Sequence, residues 1–177
     1  MKRVNALIQR YWLNLGLLGL GGGLAALALF EPGREPPADV PPLLEWASAQ
    51  IDRIAVERPG QESLAFEQRA GRWWMTAPEI GPAHPVLIHR MTALAEARCT
   101  PSYAAAALDL PRLRLEPPRL RLWLNGQEIR FGDVAPLDNQ RYVQVGATVY
   151  LCSDQWYPLL NSATGSFLAM PWDDFPK

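Results

Sequence analysis

Cysteine, histidine and net charge are all scarce in this chain. Its 177 residues include two cysteines and two histidines, and the formal net charge is -1. A charge so close to zero argues against a strongly basic nucleic-acid binder. Two cysteines cannot supply the four ligands of a structural zinc site, and His84 and His89 are five residues apart, whereas metal-binding pairs on a helix are three or four apart. The sequence therefore predicts neither a metal site nor a nucleic-acid partner.

Catalytic motifs are missing as well. The sequence has no G-x-S-x-G or S-x-x-K element, and its only run of three glycines lies inside an apolar N-terminal segment rather than in a phosphate-binding loop. Hydrophobic residues make up 49% of the chain, which excludes global disorder. We therefore expect a folded, non-catalytic protein without a cofactor.

Residues 11–30 carry no charge at all. Twenty residues at a helical rise of about 1.5 Å span about 30 Å, the thickness of a bilayer core. Three bases precede the run and an acid follows it: Lys2, Arg3, Arg10 and Glu31. The positive-inside rule then predicts a cytoplasmic segment at residues 1–10 and a single-pass signal anchor in the bacterial inner membrane. The lipid bilayer is thus one expected partner, and the rest of the chain is expected in the periplasm.

Small residues inside the apolar run suggest two further interpretations. Gly19 with Gly23, and Gly22 with Ala26, have the four-residue spacing that lets two membrane helices pack closely, although glycine is also simply frequent in such helices. A cleaved signal peptide is the alternative to an anchor, because residues 26–28 read Ala-Leu-Ala, like a cleavage site. That site lies within the apolar run, and this favours the uncleaved anchor.

The remainder of the chain divides into a stalk and a domain. Residues 31–42 contain five prolines, which favour an extended, semi-rigid stalk. Residues 43–177 are long enough for one stable core. Apolar and polar residues alternate in seven predicted strands, at 53–58, 63–69, 72–76, 119–124, 127–131, 142–145 and 148–152. Asn125-Gly126 is a strong hairpin signal between two of them.

Three helical segments complete the predicted domain. They lie at residues 43–50, at 85–98 with Pro85 in the first turn, and from Ser153 or Asp154 to residue 160. Each half of the domain thus reads as strands followed by a helix. We therefore predict an α+β domain in which an antiparallel sheet packs against two or three helices, preceded by one transmembrane helix.

Short motifs follow the predicted elements from residue 51 to residue 160. They include Leu64-Ala65-Phe66, Gly71-Arg72-Trp73, Ala77-Pro78, Phe131-Gly132-Asp133 and Arg141-Tyr142-Val143. Their order resembles a bacterial extracytoplasmic domain family of unknown function. Members of that family occur as membrane-anchored proteins and beside, or fused to, gliding-motility-type ABC transporter subunits. The resemblance implies a domain tied to a membrane complex, and it brings no catalytic residues.

Several side chains are candidates for a site. Cys99 and Cys152 can form a disulfide outside the cytoplasm or can stay as buried thiols. Aromatic and basic residues are candidates for an interface: Trp74, Arg119, Arg121, Trp123, Arg130 and Trp172. The alternative for the basic group is the solvent face of a half-buried sheet.

Two functions fit these features. The first is a non-catalytic subunit or accessory protein of a membrane complex that contacts an integral membrane protein, such as one associated with a transporter. The second is a periplasmic small-ligand binder or enzyme that uses the loop of residues 133–141. A deep pocket lined by Asp133, Asp138 or Arg141 would favour the second function, and a shallow surface with an exposed Trp74 would favour the first.

Overall fold

A computed structural model describes residues 40–136 and 139–169 of the chain. The fold below belongs to the compact unit of residues 40–177. Within the described residues, no helix combines the length and apolar character needed to cross a membrane. Several predictions lie outside these residues, namely the signal anchor with Gly19, Gly22, Gly23 and Ala26, most of the stalk, Asp138 and Trp172.

In the part of the chain that the structure describes, nine strands form one antiparallel sheet. Their bounds are β1 (Arg53–Glu57), β2 (Leu64–Arg69), β3 (Arg72–Ala77), β4 (Gly81–Pro82), β5 (Ser102–Ala104), β6 (Leu120–Leu124), β7 (Gln127–Val134), β8 (Gln140–Val145) and β9 (Thr148–Ser153). Their order across the sheet is β4-β3-β2-β1-β6-β7-β8-β9-β5. Two hairpin meanders, β1 to β4 and β6 to β9, therefore lie side by side.

The two meanders meet where β1 pairs with β6. Ile54 lies opposite Leu124, and Val56 lies opposite Leu122, so two apolar pairs on one face join the halves. In the hairpin between β6 and β7, Asn125 and Gly126 both have positive φ, as the predicted turn requires. All seven predicted strands are observed, and β4 and β5 are additional strands at the two edges of the sheet.

One face of the sheet, here called the inner face, carries the main core. Alternate residues of the strands point toward it and are almost fully buried: Ile54, Val56, Leu64, Phe66, Met75, Leu120, Leu122, Leu124, Ile129, Phe131 and Val143. They pack against the helices α1 (Pro85–Thr92) and α2 (Trp156–Leu160) through residues such as Met91 and Leu160. Among residues 40–136 and 139–169, short 3₁₀ helices lie at Ser48–Gln50, Ala93–Glu96, Ala105–Ala107 and Thr164–Phe167.

The opposite face, here called the outer face, is covered at one end only. The segment of residues 105–118 packs there over β8 and β9, where Ala105, Leu115 and Val149 form a second, smaller core. Gly132 makes this approach possible, because a Cβ atom at that position would overlap the carbonyl oxygen of Leu113. The outer face of β1, β2, β3 and β6 carries side chains that are half-buried or exposed.

The predicted α+β domain with two or three packed helices is wrong. The described residues are dominated by the nine-stranded antiparallel sheet, and their longest helical stretch is α1 with the 3₁₀ turn Ala93–Glu96 that continues it. The predicted first helix is reduced to Ser48–Gln50, because the N–H groups of Leu43 and Leu44 donate to the carbonyls of Ala97 and Ala95 instead of forming helical hydrogen bonds.

The third predicted helix is also shorter than expected. Helix α2 begins only at Trp156, and neither Ser153 nor Asp154 caps it, since the residue before it is Gln155 and makes no side-chain cap bond. The Asp154 carboxylate binds Arg141 instead. Two five-to-eight-residue helices cannot form a helical layer comparable to the sheet, which explains why the sheet determines the architecture.

Candidate functional site

The outer face of the sheet carries a row of residues that lie opposite one another on successive strands. Ala65 on β2 faces Ala55 on β1, Ala55 faces Trp123 on β6, and Trp123 faces Glu128 on β7. Neighbouring strands are about 4.8 Å apart, so the two alanines leave a depression about two strands wide beside the Trp123 ring. Small side chains on two paired strands thus create a hollow in an otherwise polar surface.

This hollow, here called the pit, has a volume of about 590 Å³. Ala55, Ala65, Thr76 and Trp123 line it from the outer face. The charged and polar residues that also line it are Asp52, Arg53, Glu67 and Asn125. An apolar floor with a polar rim is the arrangement that receives an anchoring side chain of a protein partner.

Asn125 fixes one end of the pit. Its side-chain oxygen accepts hydrogen bonds from the N–H groups of Asp52 and Arg53, at 2.9 and 3.1 Å, and its amide nitrogen donates to the carbonyl of Gln50 at 2.8 Å. The β6–β7 turn therefore holds the start of β1 in place. This makes the pit a preformed feature, which lowers the entropic cost of binding.

The predicted basic group on the outer face is neutralised by acids. Arg121 contacts Glu57 at 3.0 Å and Glu128 at 3.3 Å, and Arg130 contacts Glu128 at 2.9 Å. The hydrogen bond to Glu128 raises the pKa of Arg130. Arg121 and Arg130 lie directly opposite each other on β6 and β7, as the sequence predicts for one face, but they belong to an ionic ladder rather than to a free basic patch.

Arg119 is likewise paired. It precedes β6 and forms an ion pair with Asp133, whose hydrogen bond and charge raise the pKa of Arg119. Along this side of the sheet, the three arginines thus form ion pairs with three acidic residues. The arrangement gives no support to recognition of an anionic lipid or polysaccharide through Arg119, Arg121 and Arg130.

Asp133 and Arg141, at the two ends of the predicted loop 133–141, both have structural partners. Arg141 is buried, and its guanidinium binds the Asp154 carboxylate at 2.6 and 3.2 Å, donates to the Gly132 carbonyl and lies 3.7 Å from the centre of the Tyr157 ring. Asp133 forms an ion pair with Arg119, so Asp133 and Arg141 both have partners within the domain. The structure does not fully meet either of the two conditions that would separate the proposed functions. Asp133 and Arg141 are held in ion pairs, and Trp74 is half-buried rather than exposed.

Two tryptophans lie on opposite faces of β3. Trp73 packs against the main core, whereas Trp74 points to the outer face, opposite Glu67. Both line a second cavity of about 280 Å³ at the sheet edge, together with Pro82, Pro85 and Ala169. Trp74 and Trp123 therefore do not share one cavity, although both belong to the outer face.

The structure joins Cys99 and Cys152 in a disulfide. The two Cα atoms are 4.7 Å apart, and both residues are buried. The bond connects the chain after the 3₁₀ turn Ala93–Glu96 to strand β9, and so ties the helical layer to the sheet. Of the two alternatives left by the sequence, the structure thus contains the disulfide.

Comparisons with other proteins and a search for metal ligands give no assignment. In residues 40–136 and 139–169, no three His, Cys, Asp or Glu side chains are grouped so that they could hold a metal ion. No protein-family model, no curated protein and no solved structure matches the chain.

The pit was not predicted from the sequence, although a signal for it exists. The outward positions of β1 and β2 are occupied by Arg53, Ala55 and Glu57 and by Ala65 and Glu67. On a single strand, the signal is an alanine at an outward-facing position, where alternation predicts a polar residue. Only the pairing of Ala55 with Ala65 turns it into a hollow.

Proposed function

We propose that this chain is a non-catalytic accessory subunit of a bacterial inner-membrane complex. Residues 11–30 anchor it in the bilayer, and the domain of residues 43–177 binds an integral membrane protein partner from the periplasmic side. The resemblance of its motifs to a family found beside ABC transporter subunits suggests a transporter as the complex. The pit on the outer face carries the proposal, because it offers a preformed hollow with an apolar floor and a polar rim, in which a side chain of a partner can anchor.

The disulfide supports the proposed compartment. Disulfides persist in oxidising environments such as the periplasm and are rare in the cytosol. The bond between Cys99 and Cys152 lies in the domain that the charge pattern around residues 11–30 predicts to be outside the cytoplasm. Two unrelated features therefore favour the same location.

A crosslinking experiment tests the proposal. Ser63 is exposed and lies two residues before Ala65, which lines the pit. We would replace Ser63 with p-benzoylphenylalanine in the full-length chain and irradiate native bacterial membranes. The expected result is one dominant adduct with an integral membrane protein, identified by mass spectrometry.

Two matched variants decide whether that adduct depends on the pit. Ala55→Arg fills the pit with a charged side chain, and we expect it to reduce the adduct at least about tenfold. Ala104→Arg makes the same change at an exposed strand residue at the far edge of the sheet and should leave the adduct unchanged. A missing adduct in the unsubstituted chain, or equal yields from the two arginine variants, would overturn the proposal.

A further inference from the structure

The two outermost strands of the sheet differ in whether their outer edges are closed. At β4, the carbonyl of Pro82 accepts a hydrogen bond from the N–H of Ala169 at 2.8 Å, and Ala83 forms a bridge with Leu168. Strand β5 (Ser102–Ala104) lies at the other edge, and all three of its residues are exposed. The chain thus closes one edge itself, and within the described residues the edge at β5 is open.

The register between β5 and β9 shows which backbone groups face outward. The Pro101 carbonyl accepts a hydrogen bond at 3.0 Å and the Ala105 N–H donates one at 2.8 Å, both to the hairpin of β8 and β9. In an antiparallel pair, the backbone groups of successive residues point alternately toward and away from the neighbouring strand. Because Tyr103 lies opposite β9 in the same phase as its neighbours at 101 and 105, the N–H and carbonyl groups of Ser102 and Ala104 point away from it. No residue among 40–136 and 139–169 bonds to them from outside the strand.

The sequence of this edge lacks the features that oppose pairing with another strand. Residues 100–107 carry no charge, and they include four successive alanines. Natural proteins protect an open edge with charged side chains, a proline, a bulge or a covering segment. Pro101 borders β5, but its carbonyl and ring nitrogen are on the side of β9, so the outward groups of the strand stay available.

We infer that β5 pairs with β5 of a second copy of this chain, antiparallel and centred on Tyr103. In this register Ser102 lies opposite Ala104 of the second copy, and each such pair exchanges two hydrogen bonds. Every outward N–H and carbonyl of the two strands then has a partner. The edge is therefore self-complementary, as a two-fold symmetric interface requires.

The side chains of β5 fit the same register. Tyr103 lies opposite Val149, which belongs to the second core, so its ring is on the outer face, where it is 42% exposed. In the dimer the two Tyr103 residues form the central pair, with Cα atoms about 4.5 Å apart, and aromatic side chains at such positions contact each other across the strands. Ser102 and Ala104 have small side chains, which meet on the other face without crowding.

The proposed anchor favours a second copy as the occupant. Two three-residue strands bury much less than the roughly 1,200 Å² of a stable interface, so the dimer is weak in dilute solution. Copies held in one membrane by residues 11–30 raise each other's local concentration and present the same edge at the same height. The inference uses the anchor of the proposed function but not its partner, because the pit lies on other strands. An extended segment of a different protein is an alternative outcome of the test.

Disulfide crosslinking of the full-length chain in bacterial membranes tests the inference. Tyr103→Cys places two thiols on residues whose Cα atoms are about 4.5 Å apart in the dimer, within the range of a disulfide. After oxidation with copper phenanthroline, we expect at least about tenfold more dimer on non-reducing gels than with Arg90→Cys, a matched change at an exposed residue of α1.

Two further cysteine variants test the register. Ser102→Cys and Ala104→Cys each place the two thiols of a dimer about two residues apart along the strands, which exceeds the roughly 7 Å limit for a disulfide. Neither variant alone should therefore crosslink efficiently. When both chains are made in the same cells, residue 102 of one copy lies opposite residue 104 of the other, and a mixed dimer should form.

A proline variant removes the pairing without disturbing the domain. Ala104 has a φ of -66°, which proline adopts, and its N–H points outward, so Ala104→Pro removes only an unpaired donor from the single copy. The substitution should leave the urea midpoint unchanged. It should reduce the Tyr103→Cys dimer at least about tenfold, because two hydrogen bonds are lost and the rings block the seam. Ala55→Arg, which fills the pit, should leave the dimer unchanged.

Three outcomes would overturn the inference. They are a dimer yield from Tyr103→Cys no higher than from Arg90→Cys, crosslinking of Ser102→Cys alone as efficient as that of Tyr103→Cys, and an unchanged yield in the folded Ala104→Pro chain. A Tyr103→Cys adduct with another protein would instead assign the edge to an extended segment of that protein. Loss of the dimer with an intact adduct from the pit leaves the proposed function standing, whereas loss of that adduct alone leaves the dimer.

Discussion

The two ends of the outer face differ in how they are covered. Over β8 and β9, the segment of residues 105–118 closes the face with a second core that includes Leu115 and Val149. Over β1 and β2, Ala55 and Ala65 leave a pit that faces solvent. The same end of the sheet carries a buried ion pair and a disulfide on its inner face. Changes at the covered end should therefore reduce stability, and changes at the open end should reduce binding.

Removal of the disulfide should cause the largest loss of stability. Replacing Cys99 and Cys152 together with alanine frees two positions that are 53 residues apart in sequence. Loop-closure entropy for a loop of that length predicts a loss of about 4 kcal/mol in the free energy of unfolding. Urea unfolding of the full-length chain in mild detergent measures it, and the reduced unsubstituted chain serves as control. A loss below about 1 kcal/mol would mean that the covered end is stabilised without the bond.

Loss of the buried ion pair between Arg141 and Asp154 should cause the second largest loss of stability. Arg141→Met leaves the Asp154 carboxylate in a buried site without its partner, which should cost about 3 kcal/mol. Arg121→Met at the open end, where the arginine is one-third exposed, should cost less than about 1 kcal/mol. Urea midpoints of the two variants test the comparison directly. Equal losses would show that the two ends are not different in this respect.

The close contact at Gly132 comes next. Gly132→Ala forces a methyl group against the Leu113 carbonyl, and we expect a loss of about 2 kcal/mol as the covering segment moves away. Gly165→Ala is the matched control, because a Cβ atom there meets no atom within 4 Å. Thermal unfolding of both variants provides the measurement. An unchanged Gly132→Ala variant would contradict the tight coverage described for this end.

A change at the open end should scarcely affect stability. Ala55→Arg is expected to alter the free energy of unfolding by no more than about 0.5 kcal/mol while it removes the membrane adduct. The same urea titration, run beside the crosslinking assay, separates the two effects. If the variant unfolds as easily as Arg141→Met, the lost adduct would reflect unfolding, and the comparison between the ends would fail.

The smallest effect concerns pH and the chain that enters the domain. The N–H of Ser48 donates to the Glu96 carboxylate at 2.6 Å, and this hydrogen bond lowers the pKa of Glu96 from its ordinary value of 4.5. A lowered pKa in the folded state means that the carboxylate stabilises the fold above pH 4.5 and that this contribution is lost as pH falls through the lower folded value. Glu96→Gln should therefore flatten the decline of the urea midpoint below pH 4.5. A decline as steep as in the unsubstituted chain would rule out this contribution.

Local patterns in the sequence predict the strands well and their assembly less well. Alternation in residues such as Leu120, Leu122 and Leu124 defines β6, and Asn125-Gly126 defines its turn, because both signals depend on adjacent residues. The strands β4 and β5 are too short to show alternation. The predicted helices were too long. Apolar residues spaced at 3.6 positions do not show whether the backbone N–H groups bind carbonyls of the same helix or of another segment.

The site depends on contacts between distant residues, and this explains why it was only partly predicted. Arg121 and Trp123 were identified on one face, but the acids that neutralise Arg121 include Glu57, which is 64 residues away in sequence. Ala55 and Ala65 become a pit only when β1 and β2 pair. A single sequence contains these residues but not their pairing.

The seam between β1 and β6 also affects how the chain is made. The second edge of β1 can pair only after β6 has been synthesised, and Leu124, the partner of Ile54, comes 70 residues later in the chain. At a synthesis rate of about 5–20 residues per second, this edge stays unpaired for about 4–14 s while the following residues emerge. An unpaired apolar strand edge is a template for aggregation, so we expect the first meander to need protection by a holding chaperone until β6 has been made.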